Sequence, residues 1–323
     1  MKEVYKRLRE NPKLFIKLFI SSLIVNLLAL ATPIFVILVL QRYITHGVSS
    51  TLFTLLVGII IIIIFEFFFR NIRHNMAGEI EVKNVIISDT IFKKINTIST
   101  SNYELFGKPQ SGLIMNNIQK VNRIFNASVT LILIDAPFIF IFIGALALLH
   151  YHLALITIIF IAVQIIVSKF LLKRVNEQEY TLEKLLFDKN KIINETSNKY
   201  ITIRYFSFHS FMNVKWKKVL NNFFTISDKL EINRNLVSSF LYSLTLLLTV
   251  SIISWGSLLV VDGLLTIGAL IGANILASRC LGPVSKLIYN LEPLKKGEQA
   301  IQSLEKFLKT PSELIFQTSI KNL

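Results

Sequence analysis

The side chains that could carry chemistry are few in this 323-residue chain, and they do not form a recognisable active site. None of the twelve glycines begins a GxxxxGK[ST] motif, so the sequence contains no loop of the type that cradles nucleotide phosphates. His150 and His152 could ligate a metal ion, but a pair at a membrane interface is the simpler interpretation, since neither a carboxylate nor a cysteine lies nearby. The single cysteine, Cys280, excludes an internal disulfide. The sequence therefore predicts that this polypeptide is not an enzyme by itself and carries no cofactor and no metal.

Two carboxylates, Glu66 and Asp135, lie within or beside long apolar runs. Both fall near one end of their run, where a charge is far less costly than the ~2.5–3.5 kcal/mol expected at the centre of a bilayer. We therefore expect each to be a headgroup-level residue or a hydrogen-bond partner of another helix. The alternative is a proton relay in a gradient-driven carrier, which the sequence supports poorly.

The elements that would position these residues are six long apolar runs. Hydrophobic residues make up 53% of the chain and the mean hydropathy is +0.58, which is typical of a membrane protein. The predicted spans are residues 14–40, 52–69, 129–149, 153–172, 236–261 and 266–288. The predicted fold is all-α, with six transmembrane helices, long cytoplasmic extensions and two short coupling helices.

The basic residues indicate the orientation of these spans. When the runs are threaded alternately through a membrane, Arg42 is the basic residue that falls in an outer connection, among 35 Lys and Arg. Lys17 and Lys169 lie inside runs, but near the inner ends, where their side chains can snorkel. Both termini are therefore predicted to be cytoplasmic. A net charge of +15 spread along the inner segments favours anionic lipid and acidic protein partners, and no nucleic acid.

The inner connections are much longer than the outer ones, at about residues 70–128 and 173–235. Both are poor in Pro and Gly and have apolar residues at helical spacing, so we expect the spans to continue beyond the membrane as amphipathic helices that turn and return. The turns are predicted at 101–112 and 205–216. Within the second, His209 is interpreted as a contact residue.

The last span has small residues along one face. Gly268 and Gly272 form a GxxxG motif that lets another helix approach closely, either in the same chain or in a partner. Asn274 is expected to be buried at that contact or to face an aqueous path. Pro33 is expected to kink the first span, and Gly282-Pro283 to interrupt the last one.

Several segments, in order and spacing, resemble the membrane domain of ATP-binding-cassette exporters, especially those of type I protein secretion. They are Leu28-Ala-Leu-Ala-Thr-Pro33 with Gln41-Arg42-Tyr43, Pro109-Gln-Ser-Gly112 with Ile134-Asp-Ala-Pro-Phe138, and a last hairpin made of Trp255-Gly256, Asp262-Gly263, Thr266-Ile-Gly-Ala-Leu270, Ala273-Asn-Ile-Leu-Ala-Ser-Arg279 and Gly282-Pro283. The resemblance covers most of the chain.

This resemblance implies a half-transporter that pairs as a homodimer and is driven by an ATPase. ATP and Mg²⁺ are then expected on a partner nucleotide-binding domain. The residues expected to couple the membrane domain to that ATPase are Asn102, Tyr103, Glu104 and Phe106 in the first inner turn, and Phe208, His209, Phe211 and Met212 in the second. Residues expected in helix packing, the dimer contact or the pathway are Pro33, Asp135, Gly268, Gly272 and Asn274.

The expected organisation is a cytoplasmic segment at 1–13, a transmembrane domain at 14–300 and a linker at 301–323 that leads toward a nucleotide-binding domain. This sequence holds no such domain, and three explanations stay open: the ATPase is a separate polypeptide, the gene has lost it, or the sequence is cut short of it. The hypothesis is the membrane subunit of a bacterial inner-membrane exporter for polypeptides, with a periplasmic adaptor and an outer-membrane channel as further expected partners. The alternatives are a remnant or scaffold without transport activity, and an exporter of lipids or small molecules.

Overall fold

The computed structural model describes residues 2–44, 49–97 and 114–310, and no β-strand occurs among them. In chain order the elements are α1 (Lys2–Glu10), α2 (Pro12–Leu28), α3 (Ala31–Leu38), a π-helix (Val39–Ile44), α4 (Ser49–Gly78), α5 (Val82–Thr97), α6 (residues 114–124), α7 (Ala127–Asp135), a 3-10 turn (Ala136–Phe138), α8 (Ile139–Leu149), α9 (Tyr151–Asn198), α10 (Tyr200–Tyr205), α11 (His209–Val261) and α12 (Ile267–Leu308). They form two compact units, one drawn from residues up to Thr157 and from Ile252 onward, and the other from Ile158 to Ser251.

Six helical segments in the described ranges are long and apolar enough to cross a membrane, which confirms the predicted fold. They are Pro12–Ile44, Thr51–Thr97, Ala127–Leu149, Tyr151–Asn198, His209–Val261 and Ile267–Leu308. Helices are the expected answer to this composition, because hydrocarbon offers no hydrogen-bond partner to a backbone N–H or C=O.

Helices α9 and α11 continue well beyond the apolar runs that the sequence marks. From Leu172 to the end of α9 at Asn198 the helix is unbroken, a length of about 39 Å at 1.5 Å per residue. Helix α11 likewise starts at His209, long before the apolar run that begins at Leu236. The second inner connection is therefore two rigid helical extensions and a short turn.

The first span is interrupted close to Pro33. Helix α2 ends at Leu28 and α3 begins at Ala31, with a turn at Ala29 and Leu30 between them. Proline has no N–H, so the carbonyl of Ala29 loses the donor that an uninterrupted helix would supply from position 33. The missing bond explains why the break precedes the proline.

The expected interruption of the last span at Gly282-Pro283 is wrong. Helix α12 runs through Pro283, and also through Pro293, without a break. Side chains on both sides of Pro283, including Leu281 and Val284, are buried against the rest of the molecule. Tertiary packing therefore outweighs the lost backbone hydrogen bond, as it does in many transmembrane helices.

A turn that sequence reasoning did not identify separates α4 from α5. Gly78 ends α4, and the amide of Glu81 donates to its carbonyl at 2.9 Å. The Glu81 carboxylate then accepts from the backbone N–H of Ala127 at 2.8 Å, next to the start of α7. The N-cap of α7 is Asn126, whose side chain accepts from the N–H of Val129. This turn is therefore tied to the beginning of the third span.

The N-terminal helix α1 packs on a buried junction of α5, α6 and α12. Arg7, only 3% exposed, donates to Asn84 Oδ1 at 2.7 Å and lies 4.8 Å from the centre of the Phe125 ring. Asn84 in turn donates to the carbonyl of Phe125 at 2.8 Å. Gly297 makes room for Phe125, because a Cβ at that position would lie 2.9 Å from its ring. A segment that the sequence marks only as a charged terminus is thus part of the core.

Asp135 connects three helices at the predicted inner end of the spans. Its Oδ1 accepts from Arg73 Nη1 of α4 at 2.6 Å and from Asn26 Nδ2 of α2 at 3.4 Å. The same Arg73 nitrogen also donates to the hydroxyl of Ser22 at 3.0 Å. Arg73 is almost fully buried, so this ion pair lies in a medium where an unpaired charge would be costly.

The glycine face of the last span packs against the first span of the same chain. A Cβ on Gly268 would lie 2.9 Å from the backbone oxygen of Ile37. On Gly272 it would lie 2.4 Å from Ile37 Cγ1 and 3.4 Å from the backbone oxygen of Pro33. The small residues thus permit a close approach of two backbones, which is the main role of such faces in membranes.

We predict that a change at Ile37 rescues a substitution at Gly272 but not one at Gly268. Gly268→Ala should lower stability by about 1–3 kcal/mol in any background, because the atom that it meets belongs to the main chain. The penalty of Gly272→Ala should largely disappear when Ile37→Ala is also present, because that clash is with a side chain. For each glycine, the unaltered chain, the two single variants and the double variant form a double-mutant cycle. Thermal unfolding of these proteins in detergent measures how strongly each glycine is coupled to Ile37. Gly144→Ala, which meets nothing within 4 Å, is the control.

We also predict that Arg73→Met destabilises the protein by about 3 kcal/mol, because it leaves the Asp135 carboxylate without its partner. The double variant Arg73→Met/Asp135→Asn should be more stable than Arg73→Met alone, because it carries no uncompensated charge. Chemical or thermal unfolding measures this. Asp89→Asn, which removes the exposed Lys93 pair, should change stability by less than about 0.5 kcal/mol. A double variant no better than Arg73→Met would contradict the assignment.

Candidate functional site

The candidate site is the turn between α9 and α11, which carries the second set of predicted coupling residues. Helix α9 ends at Asn198, the short helix α10 (Tyr200–Tyr205) follows, and a tight turn leads into α11 at His209. The other predicted turn, with Asn102, Tyr103, Glu104 and Phe106, lies outside the described residues.

The turn after α10 is a Schellman motif. The N–H of Phe208 donates to the carbonyl of Ile203 at 2.9 Å, and the N–H of Ser207 donates to the carbonyl of Arg204 at 3.4 Å. This arrangement requires a left-handed residue at the position of Ser207, whose φ is 52°. Glycine is the usual residue there, and a serine costs about 1–2 kcal/mol in backbone strain. The turn is therefore a defined structure with an unfavourable backbone conformation at its centre.

This turn exposes aromatic side chains to solvent, beyond the apolar spans. Tyr205 is 84% exposed, Phe206 67%, Phe208 51% and Phe211 66%. The rings of Phe206 and Phe208 stack with their centres 5.9 Å apart. A cluster of exposed aromatic residues outside the apolar runs is typical of a protein–protein contact surface.

The turn is carried on the antiparallel extensions of α9 and α11, which side-chain contacts join at several points. Asn233 donates to Gln178 at 2.8 Å, and Arg234 pairs with Glu179 at 2.6 Å. Nearer the turn, the Lys189 ammonium lies 4.8 Å from the centre of the Phe223 ring. These contacts all fit one antiparallel register of the two helices.

Glu195 makes the contact nearest to the turn. It lies beyond the apolar run of α9 and accepts a hydrogen bond from Lys215 of α11 at 3.1 Å. This hydrogen bond, together with the charges of Lys215, Lys191 and Lys199, lowers the pKa of the Glu195 carboxyl from its usual value. The folded protein therefore holds this carboxylate ionised at neutral pH.

A small cleft lies between the end of α9 and the start of α11. It has a volume of about 350 Å³ and is lined by Ile192, Ile193, Thr196, Ser197, Met212, Asn213 and Trp216. Met212 is thus set apart from the other three predicted coupling residues of this turn, because it lines the cleft while Phe208 and Phe211 are exposed. His209 is the first residue of α11.

The residues predicted for helix packing or the pathway separate into two places. Pro33, Gly268 and Gly272 meet where the first and last spans pack, as described above. Asn274, on the same helix, has a buried Oδ1 with no hydrogen-bond partner among the described residues. Asp135 contacts Arg73, Asn26 and, through Arg73, Ser22.

Histidine and acidic residues do not gather into a metal site in the described ranges, where no group of three or more His, Cys, Asp or Glu could hold an ion. His150 and His152 stack with ring centres 5.3 Å apart, and Tyr151 lies between them in sequence. His152 also meets the edge of Trp255 at 5.8 Å. The pair is part of an aromatic cluster at the start of α9.

Sequence reasoning missed three polar residues that the structure brings into contact. Arg73 is the partner of Asp135, Arg7 of α1 is buried and donates to Asn84, and Arg279 of the last span donates to Thr32 at 3.4 Å. The spacing of charges could have indicated Arg73, since an acid and a base fell at the same predicted depth in neighbouring spans. The burial of Arg7 has no comparable signal in the sequence.

Comparisons with known proteins agree with this geometry. The family model described as ABC transporter transmembrane region matches residues 15–284. The chain is 22% identical over 305 residues to the leukotoxin export ATP-binding protein of Aggregatibacter actinomycetemcomitans, covering 93% of this chain and 43% of the relative.

Two other relatives match the chain to a similar extent. The exotoxin translocation ATP-binding protein of Pasteurella aerogenes is 22% identical, over 93% of this chain and 42% of the relative. The alpha-hemolysin translocation ATP-binding protein of Escherichia coli is 21% identical, over 93% and 43%. The chain thus spans less than half the length of these curated relatives. Because the family model covers most of the chain and the structure has the six apolar helices such a region requires, this protein belongs to the family of ABC transporter transmembrane regions.

Proposed function

We propose that this chain is the membrane-spanning subunit of an ATP-driven bacterial exporter and that its substrate is a polypeptide. In this proposal two copies form the translocation path, with residues 14–300 as the transmembrane domain, in the inner membrane and with both termini in the cytosol. ATP and Mg²⁺ bind to a partner nucleotide-binding domain. A periplasmic adaptor and an outer-membrane channel complete the route, as in type I secretion.

The observation that carries this proposal is the exposed aromatic turn at 205–211, outside the apolar spans. Its hydrophobic surface needs a protein partner, and the names of the relatives include both export or translocation and ATP binding. A motor that grips this turn can act on the membrane, because α9 and α11 are continuous from the turn into their apolar runs. The polypeptide substrate rests on the toxin exporters among the relatives.

The mechanism that we propose is mechanical. ATP-driven closure of two ATPase domains would draw the inner turns together, and the paired helices α9 and α11 would transmit that displacement to the spans. Work is transmitted only if the ATPase contacts the turn differently in the two states, since equal binding in both would shift nothing. The continuity of α9 and α11 from the turn into their apolar runs is what makes the turn a useful point of contact.

We predict that Phe208→Ala and Phe211→Ala each weaken association with the ATPase by about 30-fold, which corresponds to the ~2 kcal/mol of an interface hot spot. The measurement is recovery of an ATPase with the chain purified from native membranes, followed by the rate of ATP-dependent export. Phe224→Ala is the matched control, because Phe224 is also exposed on α11 but lies more than three turns away. Recovery of no ATPase with the unaltered chain would favour a remnant or scaffold. Export of lipid or a small molecule without a polypeptide would refute the substrate assignment.

We predict that Ser207→Gly and Ser207→Val have opposite effects. Glycine should keep the turn and raise stability by about 1 kcal/mol, because it accepts a positive φ without strain. Valine should distort the turn, displace Phe206 and Phe208, and reduce ATP-dependent export several-fold while the protein still inserts. Thermal unfolding and export assays on both variants measure this. Equal export by the two variants would mean that the shape of this turn does not matter for coupling.

A further inference from the structure

Arg42 is exceptional among the basic residues, because it lies in an outer connection while the long inner connections carry most of the others. It is in the π-helix at the end of the first span. Within the part of the chain that the structure describes, its side chain is exposed and makes no ion pair and no hydrogen bond. A cation at a membrane surface without a protein partner is available to an anion.

The residue that precedes Arg42 joins the π-helix to the start of the last span. Gln41 Nε2 donates to the hydroxyl of Thr266 at 2.5 Å, and Thr266 is the N-cap of α12. Gly268 allows the wide turn to lie against α12, since a Cβ there would be 3.2 Å from both Leu40 and Gln41. Single turns of π-helix are often found at functional sites. Here the neighbouring residue, Arg42, lines a cleft toward the second span.

This cleft has a volume of about 330 Å³ and both polar and apolar walls. It is lined by Leu38, Arg42, Thr51, Thr54 and Leu55. Arg42 contributes a guanidinium and the two threonines contribute hydroxyls, while the two leucines provide hydrocarbon. The cleft thus combines donors for an oxyanion with a surface for an alkyl chain.

We propose that this cleft binds a membrane phospholipid, with the phosphate on Arg42 and the glycerol end of an acyl chain against Leu38 and Leu55. Arginine pairs with phosphate through two parallel hydrogen bonds. The surroundings suit a lipid, since Ile34 and Phe53, on the two helices that form the cleft, are 51% and 71% exposed. An acidic peptide would match the charge of Arg42 but not this apolar surface.

The site requires only that the chain spans a membrane. It does not depend on an ATPase, on the exported substrate or on which side of the membrane is the cytosol. A bound phospholipid would link the end of the first span to the start of the second, beside the contact between the first and last spans. The cleft is therefore a place where lipid composition could influence the outer ends of these helices.

The test is native mass spectrometry of the purified full chain in detergent, titrated with phosphatidylglycerol, with a diacylglycerol of the same acyl chains and with inorganic phosphate. We expect one molecule of phosphatidylglycerol to bind to each chain, more tightly than either diacylglycerol or inorganic phosphate. Arg42→Gln should weaken that binding by about 10-fold or more, as expected for the loss of a charge-assisted pair of hydrogen bonds. Arg70→Gln, at the other end of α4, should leave it unchanged, because Arg70 is already paired with Glu66.

The other outcomes would overturn the proposal. Equal affinity of Arg42→Gln and the unaltered chain would show that Arg42 holds no phosphate. Equal binding of diacylglycerol would leave only an apolar surface, and tight binding of inorganic phosphate alone would mean a free anion site. Displacement of phosphatidylglycerol by an acidic peptide at similar concentration would assign the cleft to a polypeptide. If Arg42→Gln unfolds, Arg42→Lys carries the test. It keeps the charge but loses the paired hydrogen bonds, so it should weaken phosphatidylglycerol binding by about 3-fold to 10-fold, and an unchanged affinity would contradict the proposal.

Discussion

Hydrocarbon gives no partner to a charge or to a backbone amide, and the arrangement of this protein depends on that constraint. The six apolar segments form helices because a helix satisfies its own N–H and C=O groups. The same constraint governs the charged residues near the spans. Asp135 and Arg73 neutralise each other where α2, α4 and α7 meet, and Glu66 pairs with Arg70 one helical turn away. These two carboxylates therefore each have a cationic partner in the same part of the structure.

Helices that pack together inside a membrane gain little from the hydrophobic effect, because the lipid around them is already apolar. Their association depends on close van der Waals packing instead. Gly268 and Gly272 bring the last span against Ile37 and Pro33 of the first. The hydrogen bond from Gln41 to Thr266 then joins the outer ends of the same two helices. Apolar packing around Phe125 and Leu294 adds α1, α6 and α12 to a buried core that also includes Leu18 and Phe138 of the spans.

The second inner turn shows how a position far from the membrane could act on it. Its backbone is well defined by a Schellman motif, its aromatic side chains are exposed, and its two supporting helices are joined along one register. Each supporting helix is unbroken from the turn into its apolar run, so the turn and the apolar parts of α9 and α11 are joined by continuous helix. The proposed coupling to an ATPase depends on that continuity.

The sequence by itself determined the number of spans and the helical class, because hydropathy, charge and helical periodicity are local properties of the chain. Its predicted second inner turn, at 205–216, contains the observed turn at 206–208, but the rest of that range is helical because α11 already begins at His209. It also indicated the break near Pro33, since a missing N–H acts within one turn. Only the tertiary structure decided that α12 continues through Pro283, that Gly268 and Gly272 face the first span, and that Arg73 is the partner of Asp135. Those outcomes depend on how each helix is rotated and which helix lies beside it. Such rotations follow from the packing of residues distant in sequence, which no local pattern contains.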